Sequence, residues 1–96
     1  MPFVVTDRAM QVVRQLKPDQ RAKLMALIER ASSLGADRFF DENARYKIAN
    51  PLRQVAYIRG PDNLRIVMSF TPDGAVLIED ILSKQVLSKI TGKNIQ

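Results

Sequence analysis

The sequence predicts a single α+β domain spanning residues 1–96, in which a helical hairpin packs on a small antiparallel sheet. Two observations support this prediction. The N-terminal part has apolar residues at helical spacing, interrupted by a proline, and the second half has three β-prone apolar runs separated by turn sequences. The two helices cannot bury their apolar stripes against each other alone, so a sheet must cover them. The predicted element order is β-α-α-β-β-β, with a short C-terminal helix as a candidate addition.

The N-terminal half supplies one strand and both helices. Residues 3–6 are aromatic and β-branched, which favours a short strand. Either Thr6 or Asp7 is suited to cap the first helix. Pro18 fits the first turn of the second helix, and Gly35 is a natural residue to end it. These signals predict two adjacent amphipathic helices joined by a short break.

The second half supplies the sheet. The three apolar runs are residues 52–59, 64–70 and 75–82. The connection at residues 71–74 reads Thr-Pro-Asp-Gly, with proline and glycine where a type I turn favours them. Three consecutive strands joined by tight turns therefore form an antiparallel meander.

Two segments have less definite signals. Residues 46–48 suit either a short strand or an extended connection. Ser83 is a candidate cap for a last helix over residues 84–90, after which the chain looks like a frayed tail.

Composition and charge narrow the classes of function. Lysine and arginine number 15 against 10 acidic residues, which gives a net charge of +5 and favours an anionic partner. Residues 45–96 contribute +4 of this charge. The chain has no cysteine and no histidine, which excludes Ser-His-Asp and Cys-His catalysis and the usual zinc sites. No apolar run is long enough to cross a bilayer and no secretory signal is present, so we expect a cytoplasmic protein without membrane contact.

Paired carboxylates are the remaining candidates for metal or acid–base chemistry. Glu79 and Asp80 are neighbours in the last predicted strand. Adjacent strand residues point to opposite faces, so the sequence predicts that these two carboxylates do not converge on one metal. We therefore expect no metal site and no cofactor.

Cations in the sheet region carry the clearest indication of binding. Arg53, Arg59, Arg65 and Lys84 are suited to contact phosphates, because guanidinium groups hold a phosphodiester through two hydrogen bonds. Tyr57 is suited to stack on a base. The alternative is an ordinary basic surface, with solvated arginines and a half-buried tyrosine.

The sequence resembles the RelE/ParE superfamily of bacterial toxins. The resemblance lies in residues 3–7 followed by a helical hairpin, and in the arginine, apolar alternation, turn and apolar strand of residues 64–78. It implies a toxin of a type II toxin–antitoxin pair, wrapped by a cognate antitoxin protein. The RelE branch cuts mRNA in the ribosomal A site by activating a ribose 2′-hydroxyl, and the ParE branch poisons DNA gyrase.

The resemblance also implies site residues. Arg65 matches the arginine that opens the central strand, Lys84 sits where a basic residue follows the last strand, and Arg59 matches a cation on the preceding strand. These three are the expected catalytic residues. The expected RNA-binding residues beside them are Arg53, Tyr57 and Lys89.

The chain departs from the family pattern at two places. The family's lysine pair on the strand before the turn has no clear match, and Arg53 and Tyr57 lie there instead. The family's late tyrosine falls near Ile90, and no tyrosine follows Tyr57.

The leading prediction is a RelE-like, ribosome-dependent mRNA endonuclease that inhibits translation, with ribosome and mRNA as partners. The alternatives are a ParE-like gyrase inhibitor without nuclease activity and a non-catalytic binding domain. The sequence leaves open whether the chain is an enzyme.

Overall fold

The computed structural model describes residues 3–92 and 94–95, and it confirms the α+β class and the helical hairpin on a sheet. Within these residues, three helices and five strands follow one another. Their bounds are β1 Phe3–Val5, α1 Asp7–Gln15, α2 Pro18–Asn43, a 3₁₀ turn Ala44–Tyr46, β2 Lys47–Ile48, β3 Gln54–Arg59, β4 Leu64–Phe70, β5 Val76–Ser83 and α3 Lys84–Thr91.

The sheet is mixed, so the prediction of a purely antiparallel sheet is wrong. The strand order is β1-β5-β4-β3-β2, and β1 pairs in parallel with β5 while every other pair is antiparallel. Phe3 lies opposite Val76, and Val5 lies opposite Ile78. Tight turns can join only antiparallel strands, whereas β1 and β5 are separated by most of the chain and are free to pair in parallel. Residues 46–48 contribute the two-residue edge strand β2.

Helix caps form where the sequence predicts them. The Thr6 hydroxyl accepts a hydrogen bond from the amide of Ala9 at 3.2 Å, and the Ser83 hydroxyl accepts one from Val86 at 3.2 Å. Thr6 also donates to the carbonyl of Glu79 at 2.8 Å, which fastens the start of α1 to β5. Both caps are local interactions, which explains why residue type alone locates them.

The second helix bends at Gly35 and does not end there. Gly35 has φ 75° and ψ 170°, a backbone conformation open essentially to glycine, and α2 resumes after it and continues to Asn43. The resumed part brings Phe39 into the core, where its ring centroid lies 5.3 Å from that of Phe70. Burial of this aromatic ring accounts for the continuation of the helix beyond the glycine.

The two faces of the sheet are covered unequally. Helices α1 and α2 cover one face over a core that includes Leu24, Ile28, Ile66 and Met68. The other face carries a smaller second core, consisting of Tyr46, Tyr57, Leu87 and Ile95. Because α3 has only eight residues, it covers one part of this second face and leaves a groove beside it.

The described residues contain no helix that is both long enough and apolar enough to cross a membrane.

Candidate functional site

The open groove, as we call it, lies on the second face of the sheet beside α3. One part of about 400 Å³ is lined by residues of β3, β4, β5 and α3, and an adjoining part of about 400 Å³ reaches towards β2. Ile48, Ile90 and Thr91 line both parts, so the two depressions are continuous. The groove follows α3 and has apolar walls with charged groups at each end.

A β-bulge places two carboxylates at one end of the groove. Val67 lies opposite Asp80 while the next residue, Met68, lies opposite Ile78, so Glu79 is the extra residue of β5. Ile78 and Ile81, on either side of the two acidic residues, both face the core beneath α1 and α2. Glu79 and Asp80 between them both line the open groove. The prediction that Glu79 and Asp80 point to opposite faces is therefore wrong, because the bulge interrupts the two-residue period of the strand.

Each of these carboxylates has an arginine partner. Arg53 lies 2.7 Å from Glu79, and Arg8 lies 3.5 Å from Asp80. The acidic side chains are the less accessible members, with 21% and 15% of their surface exposed. Asp80 also accepts a hydrogen bond from the amide of Ile81 at 2.8 Å. This end of the groove is thus neutral overall, with its charges held in two adjacent pairs.

The opposite end of the groove is basic. Arg45 and Lys47 line it, and no carboxylate belongs to the described residues around it. The guanidinium of Arg45 donates to the Tyr46 hydroxyl at 3.0 Å and lies over the same ring. The groove therefore presents ion pairs at one end and excess positive charge at the other.

One strongly exposed apolar side chain lines the groove, and two others stand next in sequence to residues that line it. Ile90 on α3 lines both of its parts with 68% of its surface exposed, and Val86 on the same helix is also exposed. Leu52 stands immediately before Arg53 in the chain and is 91% exposed. Ile90 is thus the exposed apolar group that the groove offers to another macromolecule.

The three expected catalytic residues lie apart from the groove. Arg65 is 4% exposed, and its guanidinium donates to the carbonyl of Leu64 at 2.7 Å. Arg59 is exposed at the end of β3 and borders a different cavity. Lys84 is half-buried at the start of α3. None of the three is among the residues that line the open groove.

The expected RNA-binding residues divide between two environments. Arg53 and Tyr57 both line the open groove, at different ends. Tyr57 is buried and packs edge-on against Tyr46, with ring centroids 5.1 Å apart, which limits how much of its face a base can reach. Lys89 is exposed on α3.

Sequence reasoning missed the ion-paired end of the groove. Arg8 belongs to α1 and Asp80 to β5, so no local sequence pattern indicates that they pair. A usable signal was present in residues 77–82, where two acidic residues stand between two apolar pairs and break the strict alternation of a strand.

The described residues contain no group of three or more histidine, cysteine or acidic side chains that could hold a metal ion. A scan against protein families, a search of curated proteins and a search of solved structures each find no match for this chain.

Proposed function

We propose that this chain is a toxin-like module of the RelE/ParE type that acts by binding a protein in its open groove, as in the ParE branch, and does not cut RNA. The observation that carries the proposal is the contact of 2.7 Å between Arg53 and Glu79. The most suitably placed arginine of the groove is already neutralised by a carboxylate. A phosphodiester bound there would face arginines whose charge Glu79 and Asp80 already balance, so its net attraction to this end of the groove is small.

The composition of the groove supports a protein partner. Its lining includes Ile48, Val55, Leu82, Leu87 and Ile90, with ion pairs at the border. Protein interfaces combine an apolar centre with a polar rim in this way, and exposed Ile90 supplies an apolar contact for the partner. A cognate antitoxin and the gyrase target are the partners that the family resemblance implies.

The placement of the candidate catalytic residues also supports a binding role. Ribose activation needs a proton acceptor within hydrogen-bond reach of the 2′-hydroxyl and a cation near the phosphate. Arg65 is buried, Lys84 and Arg59 do not line the groove, and the chain has no histidine. These residues supply no convergent acid–base site in the groove.

Two assays in parallel test the proposal. Purified chain is incubated with DNA gyrase and supercoiled plasmid, and cleaved DNA is trapped with detergent, while primer extension follows a translated mRNA. We expect gyrase-dependent DNA cleavage and intact mRNA. Reversal of the ion pair's acidic member, Glu79→Arg, should abolish the gyrase effect, whereas the exposed control variant Arg14→Ala should retain it. Cleaved mRNA together with unaffected gyrase would refute the proposal.

A second candidate function, the RelE-like endonuclease, is favoured by the basic end of the groove. No carboxylate of the described residues lines this end beside Arg45 and Lys47, so a phosphate chain is better accepted here than at the ion-paired end. The charge-reversal variant Lys47→Glu separates the candidates, because it should eliminate mRNA cleavage if RNA binds here. Intact mRNA with the wild-type chain would remove this second candidate, and unchanged cleavage in Lys47→Glu would show that RNA does not bind at the basic end.

A further inference from the structure

A second depression, which we call the elbow cavity, lies between α2 and the end of β3 and shares no lining residue with the open groove. It has a volume of about 230 Å³ and forms where α2 bends at Gly35. Residues before and after the bend form its walls, and the end of β3 forms its base. The apolar side chains that line it are Leu27, Ala31, Leu34, Phe39 and Ile58.

Arginines stand at the border of this cavity. Arg30 and Arg59 both line it and are exposed, and among the described residues neither makes an ion pair or a side-chain hydrogen bond. A shallower depression beside Gly60 and Pro61 shares Leu27 and Arg30 with the cavity and adds exposed Lys23. Two arginines without an ion pair therefore border the cavity together with one carboxylate, Glu42, and Lys23 adds a third cation in the adjoining depression.

The size of the cavity limits what fits inside it. Sites for cofactors and drug-sized ligands measure about 300–1,000 Å³, so the elbow cavity is too small for such a molecule. A cavity of about 150 Å³ accepts benzene, so about 230 Å³ accommodates one large aliphatic or aromatic side chain. The volume therefore matches a single residue of a bound peptide.

The charges and the lining together favour a peptide over a nucleic acid. A phosphate chain has no apolar group to fill the space between Leu27, Phe39 and Ile58. Glu42 also lines the cavity and would repel a continuous row of phosphates, whereas a peptide can place its carboxylates at the arginines alone.

We propose that the elbow cavity is a docking site for an acidic peptide segment of a partner protein. The segment inserts one large apolar side chain into the cavity and places carboxylates against Arg30, Arg59 and Lys23. The docking site is distinct from the open groove, and it does not depend on the function proposed for that groove.

A peptide selection tests the proposal. The full chain is immobilised, and random linear peptides displayed on phage are selected for binding. We expect enrichment of peptides in which an aliphatic or aromatic residue is flanked by aspartate or glutamate. Nuclear magnetic resonance of the labelled chain should then show shifts at Leu27 and Ile58 on addition of such a peptide. Affinity should fall about tenfold in the double variant Arg30→Glu/Arg59→Glu.

Matched variants make the outcome decisive. Arg14→Glu reverses an equally exposed arginine on α1 and should leave the affinity unchanged. A peptide whose acidic residues are replaced by lysine should regain binding to the double variant. Leu27→Gln, checked for folding by circular dichroism, should weaken binding without any change of charge. Three results would each overturn the proposal. The selection could enrich no peptide, or the peptide could shift only Val67 and Leu82 in the open groove. A random single-stranded RNA could also bind more tightly than the peptide and lose this binding in Arg30→Glu.

Discussion

The guanidinium of Arg53 lies 2.7 Å from the carboxylate of Glu79, and this ion pair crosses over β4. Arg53 immediately precedes β3, Glu79 belongs to β5, and β4 lies between these strands in the sheet. The bulge places both Glu79 and Asp80 on the open-groove face, whereas strict alternation would leave one of them there. The extra residue thus gives each of the two groove arginines, Arg53 and Arg8, a carboxylate partner.

Removal of Arg53 should affect binding more than folding. Half of the Arg53 side chain is exposed, so solvent screens the pair, and we expect Arg53→Ala to lower the free energy of unfolding by less than about 1 kcal/mol. Urea denaturation of Arg53→Ala, Glu79→Gln and the double variant measures the coupling. A coupling of several kcal/mol would contradict the screened, surface character that we assign to the pair.

The bend of α2 should depend on glycine at position 35. Gly35 has φ 75° and ψ 170°, and any side chain is strained in this conformation, so Gly35→Ala should lower the free energy of unfolding by about 1–3 kcal/mol. Thermal and urea denaturation measure the loss. Ala36→Gly, one position along, is the control and should cost less because it introduces no strain. Equal stability of Gly35→Ala and the wild type would show that the bend relaxes without cost.

The turn between β4 and β5 lowers the pKa of Asp73. The hydroxyl of Thr71 donates to the Asp73 carboxylate, and the amides of Ala75 and Asp73 contribute further. Because the folded-state pKa lies below its ordinary value of 3.8, the stabilisation is present above that value and is lost as pH falls through the lower folded pKa. Thr71→Val should raise the Asp73 pKa, whereas Thr71→Ser should preserve it. Titration of the carboxyl carbon by nuclear magnetic resonance checks both, and an unchanged pKa in Thr71→Val would contradict the assignment.

Local interactions were predictable from the sequence, and features that depend on strand pairing were not. Thr6 and Ser83 cap helices because a hydroxyl contacts an amide three residues away, which residue type alone indicates. The parallel contact of β1 with β5 joins residues more than 70 positions apart. The bulge at Glu79 likewise depends on the register with β4, so the alternation rule gave the wrong face for one carboxylate.

The burial of Arg65 likewise depends on the tertiary fold and does not follow from the local sequence. Alternation along β4 places Arg65 and Val67 on one face, but it cannot show that this face carries the second core. That core includes Leu87 of α3 and Ile95 beyond it, and both lie far along the chain from β4. The sequence therefore suggested an exposed cation at a position that the fold buries.

Arg65 should contribute to stability independently of any activity. Its side chain is 4% exposed and donates to the carbonyl of Leu64 at 2.7 Å, so Arg65→Ala removes packing and a charged hydrogen bond together. We expect the free energy of unfolding to fall by about 2–4 kcal/mol, measured by urea denaturation.

Arg59 provides the matched control for this prediction, because it lies directly opposite Arg65 in the sheet but is exposed. Arg59→Ala should change the free energy of unfolding by less than about 0.5 kcal/mol. If both variants retained wild-type stability while Arg65→Ala alone lost activity, Arg65 would have a chemical role despite its burial. A large loss of stability in Arg65→Ala alone would instead explain any loss of activity by unfolding, and the catalytic assignment of Arg65 would lose its support.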